Sequence, residues 1–321
     1  MSIPQEEPAP ATPRIAVLIP CYNEEVAIGT VVDDFRAALP GVPVYVYDNN
    51  SSDGTIAVAR AHGAITRTER LQGKGHVIRR MFADIEADFY VLVDGDATYD
   101  ARSAVEMVSL AGRECLDMVT GVRVTDREAA YRPGHVLGNK VLTGLAAGMF
   151  GRGQSDMLSG YRVFSRRFVK SFPALSSGFE TETEFSIHGL KLNMPMGEVR
   201  TRYVERPAGS VSKLNTYRDG VRILRTIITL VKQERPLLFF TVAAVVLALA
   251  GISVGIPVIL DYMRTGTVPR LPSAVLATGL GTLAALSLAC GLILDSVALG
   301  RLELKRLTYL ALAAPPYVEG P

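Results

Sequence analysis

Asp94 and Asp96 flank a single glycine, Gly95, directly after the apolar run Phe89, Tyr90, Val91, Leu92 and Val93. Two carboxylates this close repel each other unless a cation or hydrogen-bond donors compensate. Hard oxygen ligands of this kind suit magnesium or manganese shared with a substrate diphosphate. The chemistry to expect from the pair is electrostatic stabilisation of phosphate oxygens.

Two further polar clusters stand at the ends of apolar runs. One is Pro20, Cys21, Tyr22, Asn23, Glu24 and Glu25, and the other is Asp48, Asn49, Asn50, Ser51, Ser52, Asp53, Gly54 and Thr55. Taken singly, Asn23 or Asp53 reads as a helix cap or turn former. Competing chemistries lack residues. A phosphate loop around Lys74 would need glycine at position 68 and Ser or Thr at 75, where Thr68 and Gly75 stand. The histidines His62, His76, His135 and His188 show no paired spacing, and no GxSxG elbow occurs.

The elements that must position these residues follow from periodicity. Ile15 to Ile19, Val42 to Tyr47, Ile65 to Arg67 and Phe89 to Val93 read as strands, and Ala27 to Leu39, Ile56 to His62 and Val77 to Ile85 read as helices. Strand and helix alternate, which implies an α/β fold with a mostly parallel sheet covered on both faces. Ligands of such sheets bind beyond the carboxyl ends of the strands, so the three polar clusters are expected to line one crevice.

At 321 residues the chain holds one sizeable domain and a smaller appendage, taking about 100 to 200 residues per domain. The 34 basic and 32 acidic side chains nearly balance at net charge +2, too even for a protein whose main partner is nucleic acid. Cys21, Cys115 and Cys290 are odd in number and far apart, which fits neither a disulfide framework nor a zinc site. Residues 1–13 are rich in Pro, Ala and Glu without an apolar core, so a disordered tail is expected there rather than a signal peptide.

Hydrophobicity is concentrated at the far end. Pro236 to Leu260 contains no charged residue, and about 20 apolar residues suffice to cross the hydrocarbon core. A second run, Leu271 to Leu294, follows a short segment holding Asp261, Arg264, Gly266 and Pro269, which suits a turn between antiparallel spans. Neither run has the polar face of a core helix. Lys232 and Arg235 precede the pair and Arg301, Lys305 and Arg306 follow it, against Arg264 and Arg270 in the loop. That asymmetry places both ends in the cytoplasm. Ahead of the hairpin, Arg218, Arg222, Arg225, Thr229 and Lys232 share one helical face and Val221, Leu224, Ile228 and Val231 another. Such a basic amphipathic helix either lies in the headgroup layer or packs on the domain.

Taken together these motifs resemble family 2 glycosyltransferases of the GT-A fold, specifically the polyprenyl-phosphate, dolichol-phosphate-like members, over about residues 14 to 235. Ile19 to Glu24 is similar to the family's PxYNE strand, and Asp48 to Thr55 to its DDGSxDGT motif, with Asn49 and Asn50 substituted. The likeness implies that Pro20, Tyr22, Glu24 and Asp48 hold the nucleoside. Gly73, Lys74, Gly75 and Arg79 resemble the GKGxxxR stretch over the donor. Asp94 and Asp96 resemble the DxD, where Asp96 is a metal ligand and Asp94 contacts sugar or metal. Thr98 stands where some relatives carry a glutamine ligand. Asp156, Ser159, Gly160, Tyr161 and Arg162 resemble DxxSGYR, and Gly178 to Glu184 resembles GFExExE; Glu180, Glu182 and Glu184 read equally well as a solvated helix start. Tyr203, Arg206, Gly209, Ser210, Ser212 and Lys213 resemble the YxxRxxGxSK loop that closes over phosphates. Arg123 and Arg132 are candidates for the acceptor phosphate.

The resemblance implies a nucleotide-sugar donor, UDP- or GDP-hexose, a polyprenyl phosphate acceptor and a Mg2+ or Mn2+ cofactor. The expected organisation is a tail over 1–13, a GT-A domain over 14–214, an interfacial helix over 215–235, a transmembrane hairpin over 236–299 with spans at about 236–260 and 271–295, and a cytoplasmic tail over 300–321. Gly251, Gly255, Gly279 and Gly281 would permit close helix contacts and a homo-oligomer. A processive synthase would carry a QxxRW motif, and this chain has no Trp. Two alternatives stay open: transfer to another membrane acceptor, and a non-catalytic protein that binds lipid carriers.

Overall fold

The computed structural model describes residues 12–124, 144, 154–175, 180–204, 229, 232 and 235–318. Seven strands form one sheet: β1 (Ile15–Cys21), β2 (Val44–Asp48), β3 (Ile65–Thr68), β4 (Phe89–Leu92), β5 (Met118–Val124), β6 (Arg162–Ser165) and β7 (Met196–Arg202). Their order across the sheet is β3-β2-β1-β4-β6-β5-β7. β6 runs antiparallel to β4 and β5, and every other pairing is parallel. The carboxyl ends of β1, β2, β4 and β5 therefore share one edge with the start of β6, and the strand order reverses direction between β1 and β4, the position where sheets of this kind bind ligands.

The connecting helices are α1 (Glu25–Ala38), α2 (Thr55–Ala61), α3 (Lys74–Asp84), α4 (Ser103–Arg113), α5 (Arg166–Ser171) and α6 (Thr181–Leu192). Alternation along the strands assigns their side chains to two faces. Val17, Ile19, Val91, Val93 and Val163 join Ile28, Val32 and Phe35 of α1 and Ala104 and Met107 of α4 in a largely aliphatic core. On the other face Tyr90 and Phe164 meet Phe82, Phe168, Phe172 and Phe185, with Phe164 and Phe168 stacked at 4.6 Å. Every strand and helix expected up to residue 93 is present, with ends displaced by a few residues. α3 starts at Lys74 rather than Val77, because Gly73 at φ +133° ends the preceding loop and lets the helix begin at once.

The chain divides into two compact units, Met1–Thr216 with Lys305–Pro321, and Tyr217–Leu304. The second holds α7 (Pro236–Thr265) and most of α8 (Leu271–Leu310), both long and apolar enough to cross a membrane. Only 11% of each helix's apolar window is buried, the reverse of a core helix. The two helices pack through small residues: a Cβ on Gly251 would stand 3.3 Å from Ala277 O, and one on Gly291 would stand 2.9 Å from Phe240. A Cβ on Gly279 would meet nothing within 4 Å.

α8 runs 40 residues to Leu310, past the membrane span expected to end at about 295. Nothing between Ser296 and Leu310 breaks a helix, and the first breaker is Pro315. From Lys305 onward the chain belongs to the unit that contains the sheet. The expected interfacial helix over 215–235 lies almost wholly outside the described residues, as do Arg132, Arg206, Ser212 and Lys213.

Candidate active site

The turns after β1 and β2 are stitched to each other. Asn23, at φ +53°, donates its backbone N–H to Ser51 Oγ at 2.8 Å and accepts from Ser52 N at 2.8 Å. Glu24 N donates to Thr55 Oγ1 at 2.9 Å, and Asp53 Oδ1 accepts from Thr55 N at 3.1 Å. Asp53 thus closes a turn onto Thr55 and ties the two loops by accepting from Glu25 N at 3.3 Å, while Gly54 holds the cap position of α2. Asp48 lies beneath them, 1% exposed, with Oδ2 accepting from Ser51 N at 3.0 Å. Its Oδ1 is buried with no hydrogen-bond partner, an arrangement that costs free energy unless a ligand supplies a donor. Pro20 and Glu24 are half-buried on the same edge, and Tyr22 is exposed.

The carboxylate pair sits where β4 runs out. Gly95 is needed there because a Cβ would stand 2.5 Å from Cys21 Sγ. Ala97 then turns back at φ +57°, which brings Thr98 onto Asp96: Thr98 Oγ1 donates to Asp96 Oδ1 at 2.6 Å. Thr98, 1% exposed, orients the Asp96 carboxylate in this structure. Asp94 lies against Gly160 and Lys74. Lys74 Nζ bridges Asp94 Oδ1 and Glu182 Oε1. Burial disfavours the Lys74 ammonium, but the charges of Asp94 and Glu182 outweigh it and hold its pKa well above the ordinary lysine value.

Arg123, at the end of β5, grips Asp156 with two parallel bonds, Nε to Oδ2 at 2.7 Å and Nη2 to Oδ1 at 2.8 Å, and its guanidinium lies 5.6 Å from the centre of the Tyr203 ring. Burial pushes the Asp156 carboxyl up, yet the Arg123 bonds and charge overcome it and leave it below the usual carboxylate range. Arg162 is fully buried at the start of β6. It donates to Ser159 O at 3.0 Å, to Met157 O at 2.7 Å and to Ser186 Oγ at 3.0 Å. Burial draws its pKa down to about 10 against the opposing fields of Glu182 and Asp156. This hub ties the 157–159 turn to α6, the helix that carries Glu182.

The family pattern described as glycosyl transferase family 2 matches residues 16–172. Glycosyltransferase AglJ of Haloferax volcanii is 34% identical over 72% of this chain and 76% of its own length. The chain belongs to glycosyl transferase family 2. Another family 2 relative in sequence, the dolichyl-phosphate hexose transferase of Haloferax volcanii, is 27% identical over 69% of this chain and 95% of its own. Glucosyl-3-phosphoglycerate synthase from Mycobacterium tuberculosis, solved with Mn2+, UDP-glucose and phosphoglyceric acid, superposes with a TM-score of 0.52 at 21% identity, covering 68% of this chain and 79% of that one. The shared fold is the Rossmann-like GT-A sheet, and the protein is a glycosyltransferase.

Within this family 2 fold, Asp48, Lys74, Asp94, Asp96, Arg123 and Asp156 all stand at the carboxyl edge of the sheet. Arg79 does not join them; it is exposed and bonds His76 Nδ1 at 2.7 Å. The even choice between a solvated and a functional Glu182 resolves as burial, at 5% exposure against Lys74. Its signal was present in the sequence: Glu182 lies three residues before Phe185 and four before Ser186, on the buried face of α6. Asn49, which binds three groups of the loop before Lys74, carried no sequence signal beyond its departure from the family motif.

Proposed function

We propose that the protein transfers a hexose with inversion from a UDP- or GDP-linked donor to a dolichyl or undecaprenyl phosphate at the cytoplasmic face of a membrane. The observation that carries this reading is the Asp94–Gly95–Asp96 turn with Lys74 against Asp94, in a chain with two helices long and apolar enough to cross a bilayer. The relative described as a dolichyl-phosphate hexose transferase supports the acceptor, and the excess of Lys and Arg outside the hairpin loop supports the orientation.

The donor's nucleoside fits against Pro20, Tyr22, Glu24 and Asp48, where the buried Asp48 Oδ1 awaits a donor group. Among the described residues no group of three or more His, Cys, Asp or Glu could hold a metal. Asp94 and Asp96 would hold the divalent cation, and their hard oxygen donors fit Mg2+ or Mn2+. When bound, such an ion supplies positive charge against the departing nucleoside diphosphate. Lys74 fixes Asp94, Thr98 fixes Asp96, and Arg206 and Lys213, assigned from sequence, add cationic donors to the diphosphate. The acceptor phosphate is held by Arg123, Arg132, Arg206, Ser212 and Lys213. One of its oxygens attacks the anomeric carbon while the bond to the diphosphate breaks, a single displacement that inverts configuration. A phosphate monoester, with a second pKa near about 6, is already largely anionic, so Asp156 serves to position Arg123 rather than to remove a proton.

The test is transfer of labelled sugar to polyprenyl phosphate by purified protein, screened over UDP- and GDP-hexoses, with the lipid product weighed by mass spectrometry. EDTA, Asp96→Ala and Asp94→Asn should each abolish turnover in protein that stays folded. Wild-type rates in both variants would sink the proposal, and binding of nucleotide sugar without turnover would favour a non-catalytic lipid-carrier protein.

A further inference from the structure

The loop from Glu69 to Gly73 joins β3 to α3 and carries no regular structure, yet it delivers Lys74 to the carboxylates at the site. One side chain makes three of the bonds that shape it. Asn49, 4% exposed, donates from Nδ2 to Glu69 O at 3.1 Å and to Leu71 O at 2.8 Å, and accepts from Gly73 N at 2.6 Å. Its own backbone N–H is tied to Cys21 O at 2.8 Å and Glu69 N to Asp48 O at 2.8 Å, so the latch is anchored on β1 and β2. Asn50, at φ +63°, adds a bond from Nδ2 to Arg70 O at 2.9 Å.

An amide is the one group of this size that donates twice and accepts on the same side chain. A carboxylate at position 49 would still accept from Gly73, but would set its other oxygen against two carbonyl oxygens. We propose that Asn49 is a positioning residue for the donor: it latches the 69–73 loop so that Gly73, at φ +133°, can start α3 with Lys74 aimed at Asp94 and Glu182. This rests on the donor-binding reading above. Asn49 acts through Lys74 and the loop wall beside Asp48 rather than by touching the donor itself. A merely structural role would lower stability and all kinetic constants together. A positioning role moves donor affinity and depends on Lys74.

The experiment uses the full chain in nanodiscs with Asn49→Asp, Lys74→Met and the double variant, assayed with the nucleotide sugar that wild type turns over. Asn49→Asp should raise the donor KM about tenfold with kcat within about threefold, the loss expected for two hydrogen bonds turned into repulsions. The double variant should be little worse than Lys74→Met alone, as residues in one network behave. Amide exchange of the peptide spanning 69–76, read without donor, should quicken in Asn49→Asp. Should that variant not fold, Asn49→Ala, which sets no like charges together, carries the same readouts. Unchanged KM with unchanged exchange, or losses that multiply in the double variant, would overturn the inference. If wild type transferred no sugar at all, exchange would still report on the latch, and the functional reading alone would fail.

Discussion

The carboxylate of Asp94 lies against the backbone of residue 160 so closely that a Cβ there would overlap Asp94 Oδ2. Gly160 N also donates to Tyr99 Oη at 3.1 Å, so the backbone has little room to retreat. Gly160→Ala must therefore push Asp94 off its position against Lys74. Displacement of a reacting group by an ångström costs about a hundredfold in rate, and a fall of that size in kcat/KM is expected. Thermal unfolding of the same preparation, with a midpoint only a few degrees lower, separates displacement of Asp94 from loss of the fold.

Arg123 and Asp156 make a buried, two-bonded pair, 18% and 6% exposed at their side chains. Because the folded pKa of Asp156 is lowered, its contribution to stability is fully present above the unfolded value of about 3.9 and is lost as pH falls below it. Arg123→Met removes both side-chain bonds to the carboxylate, and breaking such a pair costs about 3–5 kcal/mol. In that variant burial is opposed chiefly by the backbone N–H of residue 123 and the charge of Arg162, so the Asp156 carboxyl rises relative to wild type and acidification relieves part of the cost. The gap in unfolding midpoint between wild type and Arg123→Met should be widest near neutral pH and narrow toward pH 5. Asp156→Asn in the Arg123→Met background should close most of it.

The contrast between these sites explains what the sequence could and could not disclose. The strand ends were legible because each is a local event: an apolar run stops, and Asp48 or Asp94 follows within one residue. The partners were not. Lys74 meets Glu182 across 108 positions, and Asn49 meets the carbonyl of Leu71 across 22. No periodicity encodes such pairings; they follow from strand order, where the antiparallel β6 is inserted between β4 and β5. The motif likeness marked Glu182 without deciding its burial. The length of α8 was not legible for a different reason, since loss of hydrophobicity after Leu294 marks where lipid should end but not where a helix must.

His188 on α6 reports on the aromatic face of the sheet. Its ring stands edge-on to Phe168 and Phe172 at 5.2 and 5.4 Å, with Nε2 3.1 Å from Ser171 Oγ. Burial, assisted by the charges of Lys305 and Lys191, draws its pKa down to about 3. The unfolded chain takes up a proton near pH 6.5 that the folded chain refuses, so stability is full above that value and declines as pH falls toward 3. At pH 5 the loss from this residue is about 2 kcal/mol, at 1.36 kcal/mol per unit. His188→Gln should flatten the decline in unfolding midpoint between pH 6.5 and 5, whatever it costs at neutral pH. A slope equal to wild type would show that His188 is not the group responsible.

The last residues of the chain carry a comparable test. Tyr309 Oη donates to Asp117 Oδ2 at 2.9 Å, and its ring lies 4.7 Å from the Arg167 guanidinium. Asp117 is fully buried at the amino end of β5 and also accepts from Arg167 and from Ser165 Oγ. Farther on, Val318 donates its N–H to Gly112 O at 3.3 Å and fills the space that a Cβ on Gly112 would need. The 305–318 segment thus helps complete the domain, since it satisfies a buried carboxylate and covers one end of α4. Tyr309→Phe keeps the ring over Arg167 and loses one bond to a charged group, about 1.5–3 kcal/mol. Tyr309→Ala loses the ring contact as well and should fall further. Gly112→Ala should resemble the removal of residues 315–321, because both expel Val318. Unfolding midpoints ordered wild type, Tyr309→Phe, Tyr309→Ala, with Gly112→Ala matching the truncation, are the expected result. A truncated chain as stable as wild type would return the segment to the status of a passive tail.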